Sequence, residues 1–190
     1  MHKLKIILTG PLYVGKTTFL KCLQHCESKS DKKYEELEFD NNPFLVPVSV
    51  GFEEFNICYK EKYLLKIIEI DSQPNYKLDR TSFFEIADIA ILMFSLINQQ
   101  PLEDLNELYN EAKSFGKKNP HIVIVGSKVD ECKEKKKKDK DNWEDTKEKV
   151  EEIKKTLAID PRLINCKKEE DVANILDEII EIVETVNSNV

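Results

Sequence analysis

Long hydrophobic runs are missing from this sequence. No apolar stretch comes near the roughly 20 residues that a membrane-spanning helix needs, and the first residues carry no apolar segment of the secretory-signal type. Paired cysteines are missing as well. The five cysteines are odd in number and include no Cys-x-x-Cys, so we interpret them as free thiols and not as a disulfide framework. These absences favour a reducing, cytoplasmic setting.

An excess of positive charge is also absent. The sequence has 29 lysines and arginines against 36 aspartates and glutamates, a net charge of -7 at pH 7, which disfavours general binding to nucleic acid. It has no internal repeat and no linker rich in glycine and serine, and its 190 residues with a hydrophobic fraction of 41% suit one ordinary core. We therefore expect a single domain over residues 1–190 that exists as a monomer.

A phosphate-binding motif occupies residues 10–17, which read Gly-Pro-Leu-Tyr-Val-Gly-Lys-Thr and follow directly on an apolar run. This is the Gly-x-x-x-x-Gly-Lys-Thr loop in the order of strand, loop and helix that makes the motif credible. Backbone N–H groups would surround a diphosphate, the ammonium of Lys16 would reach its terminal oxygens, and the hydroxyl of Thr17 would ligate Mg²⁺. The dipole of the helix that begins near Lys16 favours the same anion. The candidate phosphate-binding residues are Gly10, Tyr13, Val14, Gly15, Lys16, Thr17 and Thr18.

Short apolar runs alternate with helical patterns along the chain, as in an α/β protein. Residues 54–60 and 62–70 follow each other so closely that they predict an antiparallel hairpin. Residues 89–94 and 122–125 are continuous and apolar, as buried central strands are, and a last short strand is expected near residues 163–164. We predict a six-stranded, mostly parallel sheet with one antiparallel edge hairpin and helices on both faces.

Apolar residues at helical spacing predict two helices. One covers residues 101–115, with proline first and Gly116 just past its end, and the other runs from Val172, preceded by acidic residues. Residues 133–140 contain six lysines. We interpret them as a solvated lysine-rich loop before a helix that starts near Trp143. A docking site for acidic lipid or an acidic partner is the alternative, which the flanking acids weaken.

The choice of base depends on residues 126–130, Gly-Ser-Lys-Val-Asp, which look like the Asn-Lys-x-Asp guanine-recognition motif of GTPases. The carboxylate of Asp130 would accept hydrogen bonds from the N1–H and amine of guanine, which adenine does not present in that pattern. The stem of Lys128 would lie along the ring. Ser127 replaces the usual asparagine, which ties loops together more than it reads the base.

Further motifs follow in a specific order. Residues 165–167 resemble the Ser-Ala-Lys loop of the same proteins, whose middle backbone N–H meets the guanine O6. Residues 83–88 are similar to the Tyr-Tyr-Arg-x-Ala-Asp stretch of Rab proteins, and residues 49–52 to their Thr-Ile-Gly-Val. Nearly the whole chain thus resembles a small GTPase of the Ras superfamily, nearest to the Rab type. The base-side candidates are Ser127, Lys128, Asp130, Asn165, Cys166 and Lys167.

The resemblance implies a first switch region at about residues 27–51. There Ser49 would ligate Mg²⁺ through its hydroxyl and hold the γ-phosphate through its N–H. The stretch is longer than in the family, and a loop of this length is expected to be mobile unless something binds it. The aromatic side chain that covers the guanine ring could be Tyr34, Phe39 or Phe44.

The second switch region, at about residues 71–82, departs from the family's Asp-Thr-Ala-Gly-Gln. It begins Asp-Ser-Gln-Pro-Asn, so Asp71 can still hold Mg²⁺ through water. Pro74 stands at the glycine whose N–H senses the γ-phosphate, and proline has no N–H. Asn75 replaces the glutamine that orients the attacking water and is one methylene shorter, so hydrolysis should be slow. The candidate catalytic residues are Lys16, Asn75 and, in an alternative register, Gln73.

Two further departures concern regulation. Leu12 and Tyr13 add bulk where the family often has glycine; Leu12 could obstruct an arginine finger, or both side chains could simply cover the nucleotide. Family members are commonly anchored through prenylated cysteines near the C-terminus, whereas the last cysteine here is Cys166. We expect no direct lipid anchor and membrane contact only through partners, although one domain of a longer protein would have the same ending.

These observations lead to one main hypothesis and two alternatives. The main hypothesis is a molecular switch in membrane trafficking or signalling that binds GTP or GDP with Mg²⁺, hydrolyses GTP slowly, and presents its switch surface to effector and regulatory proteins. The first alternative is a pseudo-GTPase interaction module that uses the fold as a scaffold without catalysis. The second is an ATP-using P-loop enzyme such as a small kinase, in which Asp130 would be fortuitous.

Overall fold

A six-stranded sheet runs through the protein. The computed structural model describes residues 2–28, 52–60, 62–97, 102–116, 119–138 and 141–188. The strands are β1 (His2–Gly10), β2 (Phe52–Tyr59), β3 (Tyr63–Asp71), β4 (Ile89–Ser95), β5 (His121–Ser127) and β6 (Arg162–Leu163). Their order in the sheet is β2-β3-β1-β4-β5-β6; β2 runs antiparallel to β3, and the other neighbours are parallel. This confirms the predicted sheet and its edge hairpin.

Helices cover both faces of the sheet. They are α1 (Lys16–Ser28), α2 (Lys77–Ile86), α3 (Leu102–Phe115), α4 (Val129–Lys138), α5 (Asp141–Leu157) and α6 (Glu169–Ser188). Apolar residues of α1 and α6 pack in one core, and those of α2, α3, α4 and α5 in the core on the opposite face. Among the described residues, no helix is both long and apolar enough to cross a bilayer.

The central strands are buried on both faces. In β1, Ile6 and Leu8 enter the core with α1 and α6, whereas Ile7 between them enters the opposite core, because successive side chains of a strand alternate. Every residue of β4 is buried. Burial on two sides explains why these strands appear in the sequence as continuous apolar runs without polar alternation.

The lysine-rich segment differs from its interpretation as a loop. Residues 133–138 belong to α4, and α5 begins at Asp141, close to the start expected near Trp143. Lysine is a good helix former, and α4 has Asp130 and Glu131 in its first turn, where acidic side chains favour the helix dipole. Helix propensity therefore outweighed the high charge on which the loop interpretation rested, while residues 139–140 lie outside the described part of the chain.

Helix α2, like α4, was not predicted. Helix α2 spans only ten residues, Lys77–Ile86, and its buried side chains are Arg80, Phe83 and Phe84. A short helix with a buried arginine gives no clear apolar stripe, so its period is hard to recognise in the sequence. It covers the sheet next to β3 and carries the end of the second switch region.

Candidate functional site

The candidate residues gather where the parallel strands end. Gly10 at the end of β1 pairs with Asp71 at the end of β3, and Ser95 at the end of β4 pairs with Ser127 at the end of β5. The carboxyl ends of parallel strands form one edge of an α/β sheet, which is where such sheets bind ligands. The ends of these four strands therefore lie at the same edge of the sheet.

The loop from Gly10 to Lys16 is closed by the lysine itself. The ammonium of Lys16 donates hydrogen bonds to the carbonyl oxygens of Gly10 at 2.7 Å and Pro11 at 3.0 Å, and Lys16 is only 7% exposed. Tyr13 and Gly15 have φ angles of 63° and 100°, a left-handed conformation that glycine adopts readily and tyrosine rarely. The phosphate loop thus holds a strained backbone around a buried cation.

Two carboxylates act on the charge of Lys16. Burial lowers the pKa of the Lys16 ammonium, and the negative charges of Asp71 and Glu69 oppose that shift. Thr17, the next residue, donates a hydrogen bond from its hydroxyl to Oε1 of Glu69 at 2.9 Å. The Thr17 hydroxyl and a Glu69 carboxylate oxygen therefore lie together at the start of α1. Thr18 is exposed at the following position.

Ser127 ties the phosphate loop to the sheet. Its buried hydroxyl lies within hydrogen-bonding distance of two carbonyl oxygens, that of Val14 at a short distance and that of Phe94 at 3.1 Å, which share its one proton. In the family, the asparagine at this position ties loops together, and the shorter serine makes such a tie here. The substitution therefore keeps the connection between the loop and the end of β5.

The candidate base-binding residues lie on two adjoining loops. Lys128 has a φ of 65° and leads into α4, where Asp130 lies in the first turn. The ammonium of Lys167 lies 3.7 Å from Oδ2 of Asp130, which joins the loop after β5 to the loop after β6. A Cβ atom on Gly15 would lie 3.5 Å from Sγ of Cys166. The loop after β6, which contains Cys166, is therefore also next to the phosphate loop.

The loop of residues 165–167 is fixed by the helix that follows it. The backbone N–H of Asn165 donates to Oδ2 of Asp171 at 2.9 Å, and the Asn165 side-chain oxygen accepts from the N–H of Lys167 at 2.9 Å. Burial raises the pKa of the Cys166 thiol to about 12. The loop therefore presents a neutral thiol and a positioned backbone at the site.

The second switch region leaves the edge of the sheet after Asp71. Oδ1 of Asp71 accepts a hydrogen bond from the N–H of Gln73 at 3.2 Å, and Pro74–Tyr76 form one turn of 3-10 helix. Asn75 is exposed. Gln73 instead lines a cleft of about 250 Å³ together with Pro11 and Leu12. Of the two candidates for orienting water, Gln73 is thus the one that shares a cleft with the phosphate loop.

A buried ion pair holds this region against α3. Arg80 donates to both carboxylate oxygens of Glu111, at 2.7 and 3.0 Å, and the two residues are 2% and 4% exposed. The same guanidinium donates to the carbonyl oxygens of Asp71 at 3.0 Å and Gln73 at 3.3 Å. Lys77 adds ion pairs to Glu107 at 2.8 Å and to Glu111 at 3.3 Å. Arg80 therefore connects helix α2 and the start of the second switch region to α3.

Two predicted residues of the phosphate loop are exposed, and other predicted residues lie outside the described part of the chain. Leu12 and Tyr13 are exposed, Tyr13 by 83%, so both are free to contact a ligand or a protein. Most of the first switch region lies outside the described residues. That part of the chain includes Ser49, whose hydroxyl is expected at Mg²⁺, and the aromatic candidates Tyr34, Phe39 and Phe44.

Three residues of the site were missed in the sequence. Glu69 interrupts an apolar strand two positions before Asp71, Glu111 lies on the apolar stripe of α3 between Leu108 and Ala112, and Arg80 lies among the aromatic residues of α2. A charged residue within an apolar pattern was the available signal in each case, since such groups are buried only with partners.

The family is decided by comparison with known proteins. A model of the Ras family matches residues 5–185. The chain belongs to the Ras family. This confirms the resemblance to a Ras superfamily GTPase near the Rab type.

Rab proteins are among the similar sequences. The Ras-related protein RabQ of Dictyostelium discoideum is 29% identical over 135 residues, covering 70% of this chain and 60% of that protein. The Ras-related protein Rab-3 of Caenorhabditis elegans is 23% identical over 130 residues, and Rab-3D of Homo sapiens is 24% identical over 130 residues; both alignments cover 68% of this chain and 54% of the relative. The matched part of this Ras family protein thus spans 54% to 60% of the length of these relatives.

Replacing Ser127 by alanine tests the tie between the phosphate loop and β5. The change removes a buried donor from two carbonyl groups, so we expect the free energy of unfolding to fall by about 1–3 kcal/mol, measured by urea denaturation. Ser82→Ala is the matched control, because that exposed hydroxyl bonds only locally to the Leu78 carbonyl; it should change stability by less than about 0.5 kcal/mol. Equal losses in both variants would contradict the tie.

Proposed function

We propose that this Ras family protein binds GTP and GDP with Mg²⁺, hydrolyses GTP slowly, and acts as a molecular switch. The observation that carries the proposal is the meeting of the phosphate loop, the Ser127-Lys128-x-Asp130 segment and the loop of residues 165–167 at one edge of the sheet. The contacts of Ser127 with Val14 and of Lys167 with Asp130 support this arrangement.

The phosphate side suits a di- or triphosphate. The start of α1, the backbone from Tyr13 to Thr18 and the ammonium of Lys16 all favour an anion. The bonds from Lys16 to the carbonyls of Gly10 and Pro11 hold that ammonium over the loop. It needs little rearrangement to contact phosphate oxygens, because it is already buried at this place.

The base side suits guanine. A carboxylate accepts two parallel hydrogen bonds from the N1–H and amine of guanine, and the Asp130 side chain is 31% exposed, so it is open to a ligand. The backbone N–H of Cys166 would meet the guanine O6, and the neutral thiol leaves that oxygen without a repelling charge. Asn165 would fix the loop through its bond with Lys167.

The donor set at Thr17 and Asp71 fits Mg²⁺. Both offer hard oxygen atoms, which this ion prefers, and Mg²⁺ usually keeps several waters and takes few protein ligands. Thr17 would ligate the ion directly, Asp71 through water, and Ser49 would be the ligand from the first switch. The bound ion supplies positive charge to the phosphate oxygens of the nucleotide.

Slow hydrolysis follows from the chemistry of the second switch. Pro74 cannot donate a backbone hydrogen bond to the γ-phosphate, and the exposed Asn75 is shorter than the glutamine it replaces. Phosphoryl transfer relies on positioning, so a misplaced water is costly. The similarity to Rab proteins supports a role in membrane trafficking or signalling, with effector and regulatory proteins meeting the exposed switch surface.

The guanine assignment is tested by the variant Asp130→Asn. We expect it to lose affinity for GDP by at least about tenfold and to gain affinity for xanthosine diphosphate, because an amide pairs with the xanthine edge. Titration with fluorescent nucleotides measures both affinities. Glu131→Gln, in the same turn of α4, is the control and should leave them unchanged.

Two results decide between guanine and adenine binding. Adenine nucleotides that bind as tightly as guanine nucleotides, and equally well in the parent and in Asp130→Asn, would contradict the assignment and favour an ATP-using enzyme. Denaturing the freshly purified protein and identifying the released nucleotide by chromatography gives an independent result: GDP or GTP supports the proposal.

Single-turnover GTP hydrolysis tests the second switch. We expect the double variant Pro74→Gly with Asn75→Gln to hydrolyse GTP about 10- to 100-fold faster than the parent, because it restores a donor N–H and the longer side chain. Gln73→Ala and Asn75→Ala distinguish the two candidates for orienting the attacking water. Only the loss of the residue that orients water should lower the hydrolysis rate below that of the parent. A parent rate as fast as that of an unaltered family member would contradict slow hydrolysis.

The buried pair of Arg80 and Glu111 favours a second candidate, a scaffold module whose switch does not move. Breaking a buried, bidentate pair is costly, and this one reaches the carbonyls of Asp71 and Gln73. The fold would then present one fixed surface to partners, whatever nucleotide is bound.

Amide hydrogen exchange distinguishes a switch from a scaffold. For a switch, we expect residues 72–76 to exchange more slowly with a non-hydrolysable GTP analogue than with GDP, and residues 77–86, fastened to α3, to show no difference. Mass spectrometry of overlapping peptides measures both segments. Identical exchange in residues 72–76 in the two complexes would favour the scaffold.

A further inference from the structure

Glu69 places an additional carboxylate beside the phosphate loop. It lies in β3, two residues before Asp71, so both side chains project from the same face of the strand. The register pairs Glu69 with Leu8 and Asp71 with Gly10, so Glu69 lies one step inside the edge at which the loops meet. Its side chain is half-buried, and none of the roles assigned above uses it.

The contact with Thr17 connects Glu69 to the proposed metal ligand. Oγ1 of Thr17 donates its hydrogen bond to Oε1 of Glu69 at 2.9 Å. A hydroxyl has one proton and two acceptor lone pairs. Because the proton is directed to the carboxylate, the lone pairs remain for a cation, and the rotation of the hydroxyl is restricted.

The charge of Glu69 acts at the same place. The negative charges of Asp71 and Glu69 both act to raise the pKa of the Lys16 ammonium against the effect of burial, so both carboxylates favour positive charge at the phosphate loop. With Thr17, they form a set of hard oxygen donors of the kind that Mg²⁺ prefers. Among the described residues, no three His, Cys, Asp or Glu side chains form a metal cluster, so Glu69 supplements the hydroxyl and Asp71 and does not form a second site.

We infer that Glu69 is a positioning residue of the magnesium site, which accepts the Thr17 proton and adds a second negative charge beside Asp71. This inference rests on the proposed function, because it needs a nucleotide-bound Mg²⁺ at Thr17. A partner that oriented the hydroxyl and attracted the ion would strengthen magnesium binding, as residues that hold metal ligands do in other sites.

The variant Glu69→Gln tests the inference. It keeps the size of the side chain and an oxygen that can accept the Thr17 proton, but removes the charge. Release of methylanthraniloyl-GDP is followed by fluorescence over a range of free Mg²⁺ concentrations, which yields an apparent Kd for Mg²⁺. We expect this Kd to rise about tenfold, while the release rate in excess EDTA stays at the parent value.

Two further variants separate orientation and charge from general damage. Glu69→Asp keeps the charge but shortens the side chain, so we expect a smaller rise in the Kd for Mg²⁺ and folding close to the parent. Glu54→Gln removes a carboxylate from the same hairpin, where it pairs with Lys66 at 2.8 Å, and should change neither the Kd nor the release rate.

The outcomes distinguish this inference from the proposed function. An unchanged or lower Kd for Mg²⁺ in both Glu69 variants, or a faster release of nucleotide in EDTA alone, would overturn the inference and leave the proposed function intact. A parent protein that retains no guanine nucleotide, or whose release does not respond to Mg²⁺, would overturn both.

Discussion

The position of the phosphate loop depends on how closely β1 approaches β4. A Cβ atom on Gly10 would lie 2.3 Å from the carbonyl oxygen of Met93, so no side chain fits there and only glycine allows the strand to end at this place. Lys16 then closes the loop with bonds to the carbonyls of Gly10 and Pro11. The start of α1 and the buried ammonium are thus held by backbone contacts, which move less readily than side chains.

The two sides of the site differ in how deeply their charges are buried. At the candidate base-binding loops, the contacts are the hydrogen bonds of Ser127, a backbone bond to the Asp171 carboxylate and a more exposed ion pair of Lys167 with Asp130. On the switch side, charges dominate, because Arg80 and Glu111 are buried together and Glu69 faces Thr17. A buried charge without its partner is costly, so the switch side has few alternative arrangements. Within the second switch region, the short segment of residues 72–76 precedes helix α2.

Much of the fold could be predicted because its elements are long or strongly apolar. The runs in β4 and β5 and the hairpin of β2 and β3 were expected close to their observed bounds, and the helix ending at Phe115 before Gly116 was expected as well. The loop expected at residues 133–140 was wrong up to residue 138, because lysine-rich sequence is compatible with both a loop and an exposed helix. Helix α2 was missed because Arg80 occupies its buried face.

The sequence by itself determined the family resemblance, the α/β class and the phosphate and base motifs, because these depend on residues close together in the chain. Only the tertiary structure decided which distant residues meet: Ser127 with Val14, Arg80 with Glu111, and Thr17 with Glu69. These partners lie 31 to 113 positions apart. The contacts of Ser127 with Val14 and of Thr17 with Glu69 follow from strand order and register, since parallel strands brought side by side place their carboxyl ends together whatever the length of chain between them. Arg80 meets Glu111 because α2 packs against α3.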